Sequence, residues 1–348
     1  MNHTELKVEA DSATDARMAL EEALYEIKRV IVGQDAMLER LLVALLTGGH
    51  VLLEGVPGLA KTLTVKTLAD VVGGSFKRVQ FTPDLVPADL VGTRIYRPDS
   101  GSFDVELGPV LCNFLLADEI NRAPAKVQSA LLEVMQENQV TIAGQSHPVP
   151  QPFLVLATQN PIESEGTYPL PEAQTDRFLM KLVVDYPSPG EEAAVVGRSL
   201  EARPDVRRRA EASDLIRFRD DVAGVYVDRE VIGYAVALAD ATRNPDAWGI
   251  GELAGYIEYG VSPRGPIGLV QAARALALLR GRTHTMLSDI RDLAPDVLRH
   301  RVVLSYEALS DGVTGDQVID RVIDAVEPVA EGESTEVGST LPTEELAA

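Results

Sequence analysis

The stretch HVLLEGVPGLAKTLTV, residues 50–65, decides how the chain is read. An apolar run, HVLLE (50–54), feeds a Gly-Val-Pro-Gly turn and then an amphipathic segment, KTLTVKTLADVV (61–72). A strand, a glycine-rich turn and a helix in that order aim backbone N–H groups and a helix N-terminus at an anion. GVPGLAKT (55–62) approximates the phosphate-loop pattern G-x-x-x-x-G-K-[ST], with Ala60 where the second glycine is usual. Gly55 and Gly58 then supply unusual backbone angles, and Pro57 stiffens the turn. Lys61 reaches the β- and γ-phosphates and Thr62 holds Mg2+; Leu63, next in the chain, is counted with the expected nucleotide-binding residues. Alanine is sterically acceptable at position 60 if the residue is already helical, so a negative φ is expected there. The alternative is a plain Gly-Pro turn before an amphipathic helix.

Working outward, FLLADE (114–119) is an apolar strand ending in two carboxylates. Adjacent acids at a strand end are costly unless a cation or an exposed edge satisfies them. Beside a phosphate loop, Asp118 holds Mg2+ through water and Glu119 polarises the attacking water. ATQNP (157–161) ends another apolar run, and Asn160 could orient that water from the C-terminal edge of the sheet; a simple Asn-Pro turn is the alternative. Arg177 (in PEAQTDRF) and Arg264 (in VSPRGP) could supply positive charge to a transferring phosphoryl group, as a neighbouring subunit's arginine can. For each alone, a surface salt bridge is the competing explanation.

FKRVQF (76–81), VLCNFLLAD (110–118) and FLVLATQN (153–160) join HVLLE as strands, with helices such as PAKVQSALLEVMQE (124–137) between them. Apolar strands alternating with helices predict a parallel α/β sheet. Two hairpins are expected, turning at Asp99-Ser100-Gly101 and at Ala143-Gly144. Two helices, DARMALEEALYEIKRV and DAMLERLLVALLTGG, precede the sheet, separated by IVGQ (31–34). After YPSPG (186–190) the strand signal fades into helices, with Ser213, Asp228 and Ser288 as expected caps. The expected organisation is a flexible segment (1–15), an α/β core (16–186), a helical domain (187–326) and a disordered acidic tail (327–348).

Composition narrows the function. The net charge is −21, which argues against a chain-wide nucleic-acid surface. Lysines number 7 against 25 arginines, and high acidity with few lysines is expected of adaptation to a salt-rich cytoplasm; an acidic tail on an ordinary protein is the alternative. The one cysteine, Cys112, lies in an apolar run and is expected to be a buried hydrophobe. The five histidines form no zinc-ligand spacing. No run is long and apolar enough for a membrane span, and the N-terminus lacks a basic start followed by an apolar core, so the chain is assigned to the cytoplasm.

GVPGLAKT, LLADEINRAP, VLATQNP, LPEAQTDRFLMKL and GVSPRGPIGLVQAARALALLRGR, in this order, resemble a MoxR-type AAA+ ATPase over about residues 16–310. The resemblance implies a P-loop NTPase sheet followed by a small all-helical lid. It implies ATP and Mg2+ as cofactors, with Lys61 and Thr62 at the phosphates and Asp118 and Glu119 as the Walker B pair. Asn160 resembles sensor 1, and Arg264 resembles sensor 2, contacting the γ-phosphate. Arg177 is similar to an arginine finger acting in trans, so a homo-oligomeric ring, a hexamer, is expected. Val32 and Gly33 resemble the segment lying against adenine. TPDLVPADLVG (82–92) with its hairpin resembles a helix-2 insert, and QVTIAGQSHPV (139–149) a hairpin before sensor 1, both facing a pore. Such proteins look like chaperones that remodel protein complexes, often with a von Willebrand factor A domain partner. A magnesium-chelatase-like motor subunit is the first alternative. A DNA motor is disfavoured because the hairpin tips carry no Lys or Arg, and a non-hydrolysing switch is disfavoured by Asp118, Glu119 and Arg177.

Overall fold

The computed structural model describes residues 3–56, 59–99, 101–160, 166–202 and 204–327, with side chains from Arg17 onward. Pro57, Gly58, Ser100, Pro161 and the tail from residue 328 lie outside the described residues.

Helices α1 (His3–Val30) and α2 (Asp35–Thr47) open the chain. Helix α1 is continuous from His3, where the sequence reading begins it near residue 16; HTELKVEADSATDAR holds no Gly or Pro to stop it. The core continues with β1 (Val51–Gly55), α3 (Lys61–Val72), β2 (Phe76–Gln80) and α4 (Pro87–Val91). An antiparallel hairpin, β3 (Gly92–Arg97) and β4 (Ser102–Leu107), precedes β5 (Phe114–Asp118) and α5 (Ala125–Glu137). A second hairpin, β6 (Gln139–Ile142) and β7 (Gln145–Pro148), precedes β8 (Leu154–Gln159), the short α6 (Glu172–Thr175) and β9 (Met180–Val184). Its turn is the expected Ala143-Gly144 pair, both at positive φ, as a two-residue hairpin loop requires.

Five strands form one parallel sheet in the order β2-β5-β8-β1-β9. Four were expected from apolar runs; β9 was not. The expected strand over 110–118 is shorter, beginning at Phe114. Cys112 lies before it, fully buried, and burial pushes its thiol up to about 12.

The apolar runs reflect burial on both faces. Leu53, Leu116 and Leu156 face one cluster, and Leu52, Leu115 and Val155 the other. The first cluster also takes in residues of α1, α2 and the C-terminal helices α8 (Ala212–Gly224), α9 (Arg229–Arg243), α10 (Arg264–Leu279), α11 (Leu287–Leu298) and α13 (Gly315–Ala325); α7 (Pro189–Ser199) has no buried residue, and α12 (Tyr306–Asp311) buries Ala308 outside that cluster. Leu269, Ala272, Leu276 and Leu279 of α10 share one helical face, which predicts a core stripe; the first three are fully buried and Leu279 half-buried. A short antiparallel pair, β10 (Ile257–Tyr259) and β11 (Val303–Leu304), adds strand to a lid read as all-helical.

Asp228 caps α9 as expected, accepting from Glu230 N at 3.0 Å. Ser213 and Ser288 cap nothing. Their helices begin one residue earlier, and the carboxylates of Asp214 and Asp289 reach back to Glu211 N and Met286 N.

Candidate nucleotide site

Parallel pairing brings the ends of β1, β5 and β8 to one edge of the sheet. There Lys61 opens α3, and its Nζ donates to Gly55 O at 2.6 Å. Burial lowers its pKa below the usual lysine value, while the charges of Asp118, Glu119 and Glu54 oppose the shift. Gly55 is required by close packing, since a Cβ would stand 2.6 Å from Val184 O of the neighbouring strand.

Ala60 departs from expectation. Its φ is 54° and ψ 18°, in the left-handed region. The first helical residue is Lys61; Ala60 is the cap, and its carbonyl accepts from Thr64 N at 2.9 Å. The position is therefore not right-handed helix, and the glycine usual there has a conformational reason.

The acid pair is held by residues the sequence reading did not single out. Asp118 Oδ1 accepts from Thr158 Oγ1 at 2.6 Å, and its Oδ2 accepts from Arg78 Nη2 at 2.6 Å. Thr158 also accepts from Glu119 N at 2.9 Å, fixing the backbone between the acids. Glu119 Oε2 accepts from Gln80 Nε2 at 2.7 Å and pairs with Arg122 at 3.0 Å. Glu119 sits at φ 56°, a strained conformation of the kind that clusters at functional sites. Arg78 and Gln80 alternate along edge strand β2, so both project from one face toward the acids. That period-2 polar pair was the available signal; Thr158 was hidden within ATQNP. Asn160 follows β8, which lies between β1 and β5, and is 9 % exposed.

Val32 and Gly33 lie in the loop between α1 and α2, with Gly33 at φ 65°. A Cβ on Gly33 would run into the Glu191 carboxylate, so this loop abuts the first turn of α7. For Mg2+, Thr62 and Asp118 supply one hydroxyl and one carboxylate, and no group of three or more His, Cys, Asp or Glu gathers among the described residues. Oxygen donors in this small number suit an ion bound largely through phosphates and water.

Arg177 and Arg264 lie elsewhere. Both line a cavity of about 310 Å3 with Gly49, His50 and Leu179, which precede β1 and β9. This is the opposite edge of the sheet, about 17 Å from the phosphate loop at about 3.3 Å per residue of β1. Arg264 Nη1 donates to Asp176 Oδ2 at 3.3 Å. The structure thus groups the expected sensor arginine with the expected finger, not with Lys61.

The strand order, the loop between β1 and α3, and the acids ending β5 define an AAA-type ATPase, a protein that hydrolyses ATP. A family model for ATPases associated with various cellular activities matches residues 50–180, and an AAA lid model matches 253–322. The chain is 56% identical to Chaperone MoxR1 of Mycobacterium tuberculosis, over 88% of this chain and 81% of that one. It is 34% identical to Protein MoxR of Methylorubrum extorquens, over 84% and 89%. A crystal structure of a candidate ATPase from Cytophaga hutchinsonii, 46% identical, superposes with a TM-score of 0.89 over 94% of this chain and 99% of that one. The chain belongs to the MoxR family of AAA+ ATPases. No helix among the described residues is long and apolar enough to cross a membrane.

Proposed function

We propose that this protein works as a ring, a hexamer, in which each ATP is bound by one copy and its hydrolysis is completed by the next. The observation that carries this reading is the separation of charge along the sheet. Lys61, Asp118 and Glu119 stand at one edge, and Arg177 and Arg264 at the other. In the proposed site Lys61 and the α3 N-terminus hold the phosphates, Thr62 and Asp118 hold Mg2+, and Val32 and Gly33 lie against adenine. Mg2+, when bound, neutralises charge on the β- and γ-phosphates. Glu119 polarises the attacking water by accepting its hydrogen bond, and Asn160 orients that water. Arg177 and Arg264 of the neighbouring copy meet the charge that develops on the transferring phosphoryl group.

Mixing inactive variants tests the trans step. Lys61→Ala keeps its arginine edge, and Arg177→Ala keeps its phosphate loop. Each alone should turn over at least about 1,000-fold more slowly, the lower end of an arginine finger's contribution. Mixed rings should recover a substantial part of the rate, and an unchanged rate in Arg177→Ala would sink the reading.

The proposed work of the cycle is remodelling or maturation of protein complexes with a von Willebrand factor A domain partner, in a salt-rich cytoplasm. MoxR membership supports the chaperone-like part, and a net charge of −21 the salt. Glu119→Gln should bind ATP without turnover and retain a client protein only while ATP is present. Retention of DNA alone would overturn the chaperone reading.

A further inference from the structure

Asp176 stands where guanidinium groups converge. It ends α6 and immediately precedes Arg177. Its carboxylate accepts from Ser262 Oγ at 3.0 Å and from Arg264 Nη1 at 3.3 Å, both on Oδ2, and pairs through Oδ1 with Arg301 Nε at 2.9 Å. The two arginines differ in kind. Arg301 is buried and also donates to the carbonyls of Phe178 and Leu179 at 2.7 and 3.1 Å, so it is pinned. Arg264 has 54 % of its side chain exposed and meets Asp176 through one N–H. One carboxylate oxygen is thus tied to the interior, and the other steadies an exposed arginine beside Arg177.

We propose that Asp176 is a positioning residue for ATP hydrolysis in the adjacent copy. It holds Arg264 next to Arg177 so that two guanidinium groups meet the neighbour's triphosphate together. This rests on the trans reading above. Without the carboxylate, Arg264 faces the like charge of Arg301 with nothing between them, and it swings toward solvent. Misplacement by about 1 Å is enough to cost about 100-fold in rate. Ser262, at the mouth of α10, fixes the carboxylate's orientation from the lid side, so the pair is set by the lid and the core jointly.

Asp176→Asn keeps the shape and removes the charge. The expected result is a fall in kcat of about 10- to 100-fold, with the affinity of the variant's own loop for a fluorescent ATP analogue unchanged. Mixing with Lys61→Ala, whose arginine edge is intact, should restore turnover. In an Arg264→Ala background the Asp176→Asn change should have no further effect on kcat. Wild-type kcat in Asp176→Asn, or a loss that mixing does not recover, overturns the proposal. The Arg177→Ala and Lys61→Ala mixture separates the two readings. If that pair fails to complement, the trans reading itself is lost; if it complements while Asp176→Asn does not, only the role of Asp176 falls. Should Asp176→Asn melt below the assay temperature, Asp176→Glu replaces it. This variant keeps the charge, so it should retain more activity than Arg264→Ala, and a loss as large as that of Arg264→Ala would overturn the proposal.

Discussion

Ala60 carries its conformational cost in the open. It is exposed, at φ 54°, and as the cap of α3 it makes no side-chain hydrogen bond. A left-handed L-residue costs roughly 1–2 kcal/mol, and the chain entropy of glycine returns part of that. Ala60→Gly is therefore expected to raise unfolding stability by about 0.5–1 kcal/mol, read as a higher urea midpoint; a lower midpoint would contradict the strain. The sequence made the loop legible through its residue types. It did not reveal that the helix starts one residue later, because alanine suits either state on paper. A second residue-scale prediction concerns His50, whose ring is buried. Its Nδ1 accepts from Val155 N at 3.0 Å, so the proton sits on Nε2, directed at Met135 O at 3.2 Å. Burial lowers its pKa to about 4, below the value of 6.5 it takes when unfolded. The unfolded chain therefore binds the proton first as pH falls. Above pH 6.5 the ring has no effect on stability. Between 6.5 and about 4 it should remove up to about 1.4 kcal/mol per pH unit, and the half-buried His300 is shifted in the same direction. Chemical denaturation from pH 7.5 to 5 should show this slope, and it should shrink in His50→Gln.

Among elements, the three central strands, buried on both faces, were easy to find, and of the two edge strands β2 was read from the sequence and β9 was not. β9 alternates buried Met180, Leu182 and Val184 with Lys181 and the exposed Val183. It offers no continuous apolar run, only a short period-2 pattern trailing the DRF segment. Lys181 pairs with Glu54 of β1 at 2.6 Å, a cross-strand contact invisible before the register is known. The helical C-terminal half was legible, but its attachment was not. α2 sends buried Arg40 into the lid, where it meets Asp292 at 2.7 Å and Asp296 at 2.9 Å. Arg280 of the lid returns to Glu39 at 3.1 Å. A buried arginine stripped of these carboxylates would be costly. A lid rotation during the ATP cycle must therefore carry α2 with it or exchange these partners together. The lid's chain boundary at 187–190 is thus not a boundary of packing.

The whole molecule presents unlike edges, phosphate loop at one and arginines at the other, so the trans contact proposed above joins copies head-to-tail. Head-to-tail contacts close into a ring when the rotation between copies closes. Every copy brings a formal charge of −21, from 53 acidic and 32 basic residues. Self-repulsion opposes both the compact fold and the approach of the next copy. Salt shortens the reach of this repulsion from about 10 Å at 0.1 M to about 3 Å at 1 M. Salt also weakens exposed pairs such as Arg97–Asp104, with both side chains 57 % exposed, but pairs of that kind contribute little. Repulsion among the surplus acids should dominate, because it sums over the whole surface while each pair acts alone. Raising KCl from 0.1 to 2 M should therefore raise the melting temperature and shift sedimentation toward the ring at fixed protein concentration. A melting temperature that stays flat or falls would mean that the acidity is carried at no cost to the fold, and would remove the argument for salt adaptation.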